Sequence, residues 1–221
     1  MVSINMAMSI DGKIATKARG PVKLGSAFDT RRMREIRAEH DAVVNGSTTF
    51  RAHPFPLHVG KRDLVKARLA RGLPSEPISA VVSSNLSLPR GTPWELARKA
   101  NRWVFCGKEA PRSRRQSFEM QGVRVFPCRG KRPSAGEILK AFREAGAERV
   151  LLEGGGEFNA SFLERGLVDR IYLTVAPLVI GGSDSPTWFE GMGFQRSRFP
   201  KFRLSEARQV GDELYLIYDR A

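Results

Sequence analysis

The segment with the clearest chemical signature is a run of three glycines that directly follows a short apolar segment. Val150–Leu152 reads as a buried strand, the glycines occupy positions 154–156, and Phe158, Phe162 and Leu163 then share one face at helical spacing. A strand therefore leads into a turn without side chains and on to a helix N-terminus, where backbone amides and the positive end of the helix dipole can hold a phosphate. A tight turn needs one or two glycines, so three in succession indicate the close approach of a ligand.

This glycine run matches neither of the two common nucleotide-binding fingerprints. A P-loop would require Gly-Lys-Ser/Thr, which is absent. A GxGxxG motif that starts at Gly154 would require glycine where Asn159 stands. The pattern indicates a nucleotide-binding fold of another kind.

Two further polar turns each follow a short apolar strand. Residues 45–49 (Asn-Gly-Ser-Thr-Thr) come after a strand at 41–44, and residues 83–85 (Ser-Ser-Asn) come after a strand at 78–82. Either turn alone is equally consistent with an ordinary hydroxyl cap. Because open α/β sheets bind ligands at the carboxyl ends of their strands, the three turns together suggest a dinucleotide along that edge.

Metal and thiol chemistry are not favoured. His53 and His58 are separated by prolines and have no third ligand at a recognisable spacing, so they read as loop histidines. Cys106 and Cys128 form no CxxC pattern and are expected to be buried and reduced. With no nucleophile signature either, redox chemistry by a bound cofactor is the better hypothesis.

The arrangement of apolar and amphipathic segments predicts an α/β fold with a central, mostly parallel sheet flanked by helices. Helices are expected at 29–40, 63–71, 112–120 and 136–145 and after the glycine run, with Asp29 capping the first of them. The last three strands have no good helix between them, and Gly211-Asp212 predicts an antiparallel C-terminal hairpin. We expect a single domain over residues 1–221. The expected strands are 3–8, 41–44, 78–82, 102–106, 123–126, 149–152, 170–176, 202–210 and 214–218.

The net charge raises nucleic-acid binding as a hypothesis without supporting it further. The chain has 37 basic and 23 acidic residues, a formal charge of +14. The basic residues are spread along the chain, with no run of five and no interleaved aromatics, so most are expected to form a solvated surface. No apolar stretch is long enough for a membrane span, and no signal peptide opens the chain, so we expect a soluble cytoplasmic protein.

Several segments together resemble the riboflavin-biosynthesis reductases, whose reductase domain is related in fold to dihydrofolate reductase. They occur in the family's order over about 180 residues, and the combination is far more specific than any one piece. The matching segments are residues 5–15 (NMAMSIDGKIA), 36–42 (IRAEHDA) with Gly46 and Thr49, 151–156 (LLEGGG), 166–169 (GLVD), Ala176-Pro177 and Gly181-Gly182.

The resemblance implies an NADPH-dependent reductase that converts the ribose of a ribosylamino-pyrimidine 5′-phosphate into a ribityl chain by reduction at C1′. It also implies a homodimer, and a deaminase that is a separate protein or unnecessary. It assigns no catalytic residue. The implied substrate-binding residues are Asn5, Arg37, Leu57 and Glu153. The implied cofactor-binding residues are Thr49, His53, Ser84, Gly154, Gly155, Gly156, Glu157, Phe158 and Asn159.

The chain departs from the family pattern in the loop 51–60. His53 stands where the family carries a cofactor-side aspartate, and Gly60 stands at the position of an arginine. Lys61 and Arg62 follow at once and could supply a cation to a substrate phosphate or simply begin the next helix. These departures keep open a paralogue that acts on a pteridine or another substrate. A nucleic-acid-binding protein that reuses the fold is the alternative from another class.

Overall fold

The computed structural model describes residues 1–20, 22–195 and 199–221. Contacts divide the chain into two compact units, which we call the terminal unit (Met1–Met33 with Leu151–Ala221) and the central unit (Arg34–Val150). The expectation of a single domain stays a prediction.

Helices and strands alternate along most of the described chain. The elements are β1 (Val2–Ser9), α1 (Ala27–Ala38), β2 (Ala42–Gly46), α2 (Ser47–Ala52), α3 (Arg62–Ala70), β3 (Ile78–Val82), α4 (Pro93–Leu96), β4 (Arg102–Cys106), α5 (Arg112–Glu119), β5 (Arg124–Pro127), α6 (Ala135–Glu144), β6 (Val150–Leu152), α7 (Gly156–Leu163), β7 (Arg170–Ala176), β8 (Phe202–Val210) and β9 (Glu213–Arg220).

In the terminal unit the strands follow the order β6-β1-β7-β9-β8. β1 and β7 are parallel, whereas β9 is antiparallel to both β7 and β8. The turn between β8 and β9 contains Gly211, which has a φ of +59° and can therefore take the left-handed conformation at little cost. The predicted C-terminal hairpin is confirmed.

In the central unit the strands follow the order β5-β4-β3-β2, and every neighbouring pair is parallel. All five residues of β4 are buried, as expected for a parallel strand covered on both faces. On one side Trp94 packs edge-on against Phe50 and Phe118, with ring centroids 5.4 and 6.5 Å away. The predicted fold class, mostly parallel with an antiparallel end, is confirmed.

The predicted elements agree with the structure to within two residues at nearly every boundary, with three corrections. Helix α1 starts two residues earlier than predicted: the Ser26 hydroxyl accepts from the Asp29 amide at 3.3 Å, so Ser26 performs the capping assigned to Asp29. The predicted turn at 45–49 is instead the end of β2 followed at once by α2. Helix α4 was not predicted, because its four residues are too few to show a periodicity.

The two cysteines are free and buried, as predicted. Burial raises the pKa of the Cys128 thiol to about 12, and it also raises the pKa of Cys106. Both therefore stay protonated at neutral pH and are poor nucleophiles. Within the described chain no helix is long and apolar enough to cross a membrane.

His40 is a completely buried titratable group in the central unit. Its Nδ1 lies 2.7 Å from the carbonyl oxygen of Ile36, one turn earlier. Burial, the largest cause, lowers the pKa of the imidazole from 6.5 to about 4. The folded protein therefore holds His40 neutral, whereas the unfolded chain takes up a proton below pH 6.5.

This difference predicts a loss of stability in mild acid. The contribution of neutral His40 is complete above pH 6.5 and is lost as the pH falls toward 4, by about 3 kcal/mol in the free energy of unfolding. His40→Asn, whose amide can still donate to Ile36, removes this pH dependence. Urea denaturation of both proteins from pH 7 to pH 4 measures the difference. The exposed His53→Asn is the control, and parallel curves for wild type and His40→Asn would contradict the assignment.

Candidate functional site

The glycine turn lies in the terminal unit between β6 and α7, and two of its glycines are required by the chain itself. Gly154 has a φ of +78°, in the left-handed region. A Cβ on Gly156 would come within 2.4 Å of the Thr187 carbonyl oxygen, so the backbone of that segment leaves no room for a side chain. Gly155, with φ −76° and ψ −170°, has a conformation that any residue adopts. The φ and ψ angles of Gly155 therefore do not by themselves require glycine at this position.

Helix α7 begins directly at this turn and buries Ala160, Phe162 and Leu163. Its first amides have no partner within the helix, because the i to i−4 pattern begins with the bond from the Asn159 amide to the Gly155 carbonyl at 2.9 Å. Glu157 is exposed in the first turn, and Phe158 packs edge-on against Phe162 at 5.2 Å. The helix end therefore presents donors and a positive dipole to an anion.

Two neighbouring side chains shape the same turn. Asn159 is completely buried and donates from Nδ2 to the Trp188 carbonyl at 2.8 Å, so it holds the segment that covers Gly156. The Glu190 carboxylate also lies beside Gly156, with its Oε2 3.0 Å from the position of a Cβ, and Arg19 stands 3.8 Å from the other oxygen. Asn159, one of the predicted cofactor residues, is thus buried and stabilises the segment that packs against the turn.

A cluster of acidic and hydroxyl side chains was missed by sequence reasoning. The Asp29 carboxylate accepts from the Thr174 hydroxyl at 2.7 Å. Burial is the largest cause that raises the pKa of Asp29, and the charges of Glu213 and Glu153 raise it further. Glu153, the predicted substrate residue that follows β6, therefore has Asp29 as an electrostatic neighbour. Asn5 is half-buried on β1, in register with Tyr172 of β7.

Glu213 is held in its charged form within this cluster. Burial opposes its ionisation, but hydrogen bonds from the Ser26 hydroxyl (2.6 Å), the Tyr215 hydroxyl and the Ser26 amide (2.7 Å) outweigh that cost and lower its pKa. Burial and the bond to Glu213 together raise the pKa of Tyr215 to about 12. Tyr215 therefore stays a donor, and Glu213 is a fixed negative charge close to Asp29.

The central unit brings two of the predicted cofactor residues to one edge of its parallel strands. Gly46 is in register with Val82, and Val82 with Phe105, so β2, β3 and β4 end side by side. Thr49 lies in α2 just beyond β2, and Ser84 lies just beyond β3, both half-buried. His53 follows as the exposed C-cap of α2, where its amide donates to the Thr49 carbonyl at 3.0 Å.

The predicted substrate residues of the central unit lie in or against the loop 53–60. Leu57 is buried, and its amide donates to the Ser79 hydroxyl at 3.0 Å. Arg37 is 9% exposed and donates from Nη1 to the His58 carbonyl at 3.1 Å. Lys61 and Arg62, by contrast, are exposed and begin α3, as the simpler reading expected.

Three further features of the described chain were considered as functional sites. No three His, Cys, Asp or Glu residues of the described ranges lie close enough to hold a metal ion. A surface cavity of about 570 Å³ in the central unit, lined by Phe105, Phe126, Cys128 and Lys140 among others, contains none of the predicted residues. A buried oxygen of Asn45, at the end of β2, has no hydrogen-bond partner among the described residues.

Comparison with known proteins places this fold and this glycine turn in one family. The family model of the RibD C-terminal domain matches residues 1–216, and the chain belongs to that family. Two relatives, from Archaeoglobus fulgidus and Methanothermobacter thermautotrophicus, are both named 2,5-diamino-6-ribosylamino-4(3H)-pyrimidinone 5′-phosphate reductase. The first is 31% identical over 96% of this chain and 94% of its own length, and the second is 30% identical over 98% and 96%.

The solved structures agree on the fold. A pyrimidine reductase-like protein from Corynebacterium diphtheriae superposes with a TM-score of 0.88 at 19% identity, covering 100% of this chain and 91% of that one. The resemblance to the reductase domains of riboflavin biosynthesis, expected from the sequence segments, is confirmed.

The geometry predicts that Gly155→Val abolishes binding of a dinucleotide and leaves the protein folded. The φ and ψ angles of Gly155 are open to valine, and we expect a branched side chain at the N-cap of α7 to exclude a phosphate from the first amides of the helix. Calorimetric titration with NADPH measures the affinity, and far-UV circular dichroism checks the fold. Gly136→Val is the matched control, because a Cβ at Gly136 meets nothing within 4 Å. Unchanged affinity in folded Gly155→Val would refute a role of this turn in binding.

The raised pKa of Asp29 predicts that Asp29→Asn increases the stability of the protein, by an amount that depends on pH. The folded-state pKa of Asp29 lies above the ordinary value of 3.8. Wild type therefore loses stability as the pH rises from 3.8 through the folded-state pKa, whereas Asp29→Asn has no carboxyl group to ionise. We expect the variant to be the more stable protein at pH 7, with a difference that shrinks toward pH 4. Chemical denaturation across this range tests it, with the exposed Asp212→Asn as control. A difference independent of pH would contradict the assignment.

Proposed function

We propose that the protein is an NADPH-dependent reductase that reduces the ribose of a ribosylamino-pyrimidine 5′-phosphate to a ribityl chain in riboflavin biosynthesis. The observation that carries the proposal is the match to the RibD C-terminal domain over residues 1–216, together with relatives of this named activity that align over nearly their full length. The glycine turn before α7 supports it, because the reaction needs a nucleotide donor and a helix N-terminus that follows glycines can hold a phosphate.

The residues present fit the cofactor. NADPH, when bound, supplies the hydride. In the terminal unit, Gly155 and the first amides of α7 would hold its pyrophosphate. For the central unit, the family resemblance assigns Thr49 and Ser84 to the cofactor, at the edge where β2 and β3 end, and a buried oxygen of Asn45 has no hydrogen-bond partner there among the described residues.

The protein contributes chiefly positioning. The family resemblance assigns Glu153 and Asn5 of the terminal unit to substrate binding, where both can bond polar groups. It also assigns Arg37 and Leu57 of the central unit. Holding C1′ of the open-chain aldehyde or imine against the donor makes hydride delivery nearly intramolecular. The proton that completes the reduction comes from water or from a substrate group.

The deciding experiment assays NADPH oxidation with the deaminated and the non-deaminated pyrimidine intermediate side by side, with detection of the ribityl product. We expect turnover of at least one of them. The altered loop, with His53 and Gly60, is the reason for the second candidate, a paralogue that acts on a pteridine or another substrate. Turnover of a dihydropterin but of neither pyrimidine would replace the proposal by that alternative.

A nucleic-acid-binding function is the weaker proposal because part of the positive charge serves the fold. Arg37, Arg68 and Arg102 are all buried and donate to backbone carbonyls of the central unit. Weak, sequence-independent binding that disappears at moderate salt would agree with this. From the family resemblance we also infer a homodimer, which light scattering tests. We further propose a cytoplasmic location, which cell fractionation tests.

The turn after β3 predicts a preference for NADPH over NADH. Residues 83–85 contain no acidic side chain that would bond a bare ribose 2′-hydroxyl or repel a 2′-phosphate. Ser84→Asp should lower kcat/KM for NADPH at least tenfold, about 1.4 kcal/mol, and leave kcat/KM for NADH unchanged. Ser87→Asp, three residues further on and exposed, is the control. Equal efficiency of wild type with both cofactors would count against the preference.

A further inference from the structure

We propose that Arg19 binds the diphosphate of the cofactor in front of helix α7, and that Glu190 beside it lowers the affinity of this site. The inference rests on the proposed function, because it concerns the anion that the glycine turn would hold. Neither residue lies in the segments that carry the family resemblance. All of the residues involved belong to the terminal unit.

The first observation is that a carboxylate stands against the first residue of α7. A Cβ at Gly156 would lie 3.0 Å from Oε2 and 2.7 Å from Cγ of Glu190. Two hydrogen bonds tie the segment of Glu190 to the helix. The Glu190 amide donates to the Gly156 carbonyl at 3.2 Å, and Asn159 donates to the Trp188 carbonyl at 2.8 Å. The carboxylate of Glu190 is therefore held beside the N-terminal end of α7.

The second observation is that a guanidinium accompanies this carboxylate. Arg19 Nη2 lies 3.8 Å from Glu190 Oε1, and the two side chains are 50% and 23% exposed. At this distance the groups attract each other without a hydrogen bond, so the contact does not use the donors of the guanidinium. The Arg19 amide donates to the Thr16 carbonyl at 2.8 Å, which fixes the point from which the side chain extends.

The third observation is the balance of charge around this end of the helix. The first amides of α7 and the helix dipole attract an anion. Glu157 in the first turn and Glu190 oppose it, because like charges within about 10 Å of each other repel at ordinary ionic strength. The guanidinium of Arg19 offsets the charge of Glu190, and its planar fork suits two oxygens of a diphosphate. A bound diphosphate therefore competes with Glu190 for the same arginine.

Calorimetric titration with NADPH tests the roles of both side chains. We expect Arg19→Gln to raise Kd by roughly fivefold and Glu190→Gln to lower it by roughly threefold, because the first removes an attraction and the second a repulsion. Both effects should shrink as salt is added. The matched controls are Lys17→Gln and Asp184→Asn, which break an exposed ion pair of 2.7 Å in the same unit. They should leave Kd unchanged.

Two comparisons separate this role from other roles of the pair. NADH shares the diphosphate but lacks the 2′-phosphate, so Arg19→Gln should weaken NADH and inorganic pyrophosphate by a similar factor. A loss confined to NADPH would assign Arg19 to the 2′-phosphate and overturn the inference. Arg19→Gln should also weaken binding when Glu190→Gln is already present. If it has no further effect there, Arg19 acts only on Glu190, which likewise overturns the inference.

These measurements need no turnover and are therefore separable from the proposed function. If the variants behave as expected but wild type reduces neither pyrimidine, the reductase function is refuted and the role of Arg19 stands. If a pyrimidine is reduced but Kd is unchanged in Arg19→Gln, the role of Arg19 is refuted and the function stands. Far-UV circular dichroism checks that each variant is folded. Wild type that binds neither dinucleotide nor pyrophosphate would refute both.

Discussion

Backbone groups at the ends of helices and loops lack partners within their own elements, and in the central unit buried charged side chains supply them. Arg68, completely buried, donates to the carbonyls of Ala38 at 3.0 Å and His40 at 2.6 Å, at the end of α1. Arg102 does the same for Glu95 and for Gln121, the latter at 2.7 Å. Because these bonds fix where α1 ends, they also fix where its last turns present their arginines.

Carboxylate side chains accept hydrogen bonds from backbone amides of the loops. Glu76 binds two consecutive amides of the loop 53–60, and Asp41 binds the amides of Glu148 and Arg149 at 2.9 and 2.8 Å. The first of these loops lies against Ser79, near the start of β3, and the second leads directly into β6. Irregular backbone is unavoidable where a chain enters or leaves a strand. A loop tied in this way can carry binding groups at fixed positions, which is what a reaction that depends on positioning requires.

The charge of the chain is divided between structure and surface. A formal charge of +14 by itself indicates only an affinity for anions. The structure removes Arg68 and Arg102 from solvent and commits them to backbone carbonyls. The part of the positive charge that these two arginines carry is therefore not available to a polyanion at the surface.

The order and type of nearly every element, the hairpin at Gly211 and the glycine turn are predictable from the sequence, because apolar periodicity and turn residues are local signals. Which side chains meet is visible only in the folded chain. Asp29 reads locally as a cap, yet its carboxylate bonds Thr174, 145 positions away, and the need for Gly156 comes from the backbone at Thr187. Such partners depend on how distant strands and loops are brought together, and no pattern within a short window of residues records that.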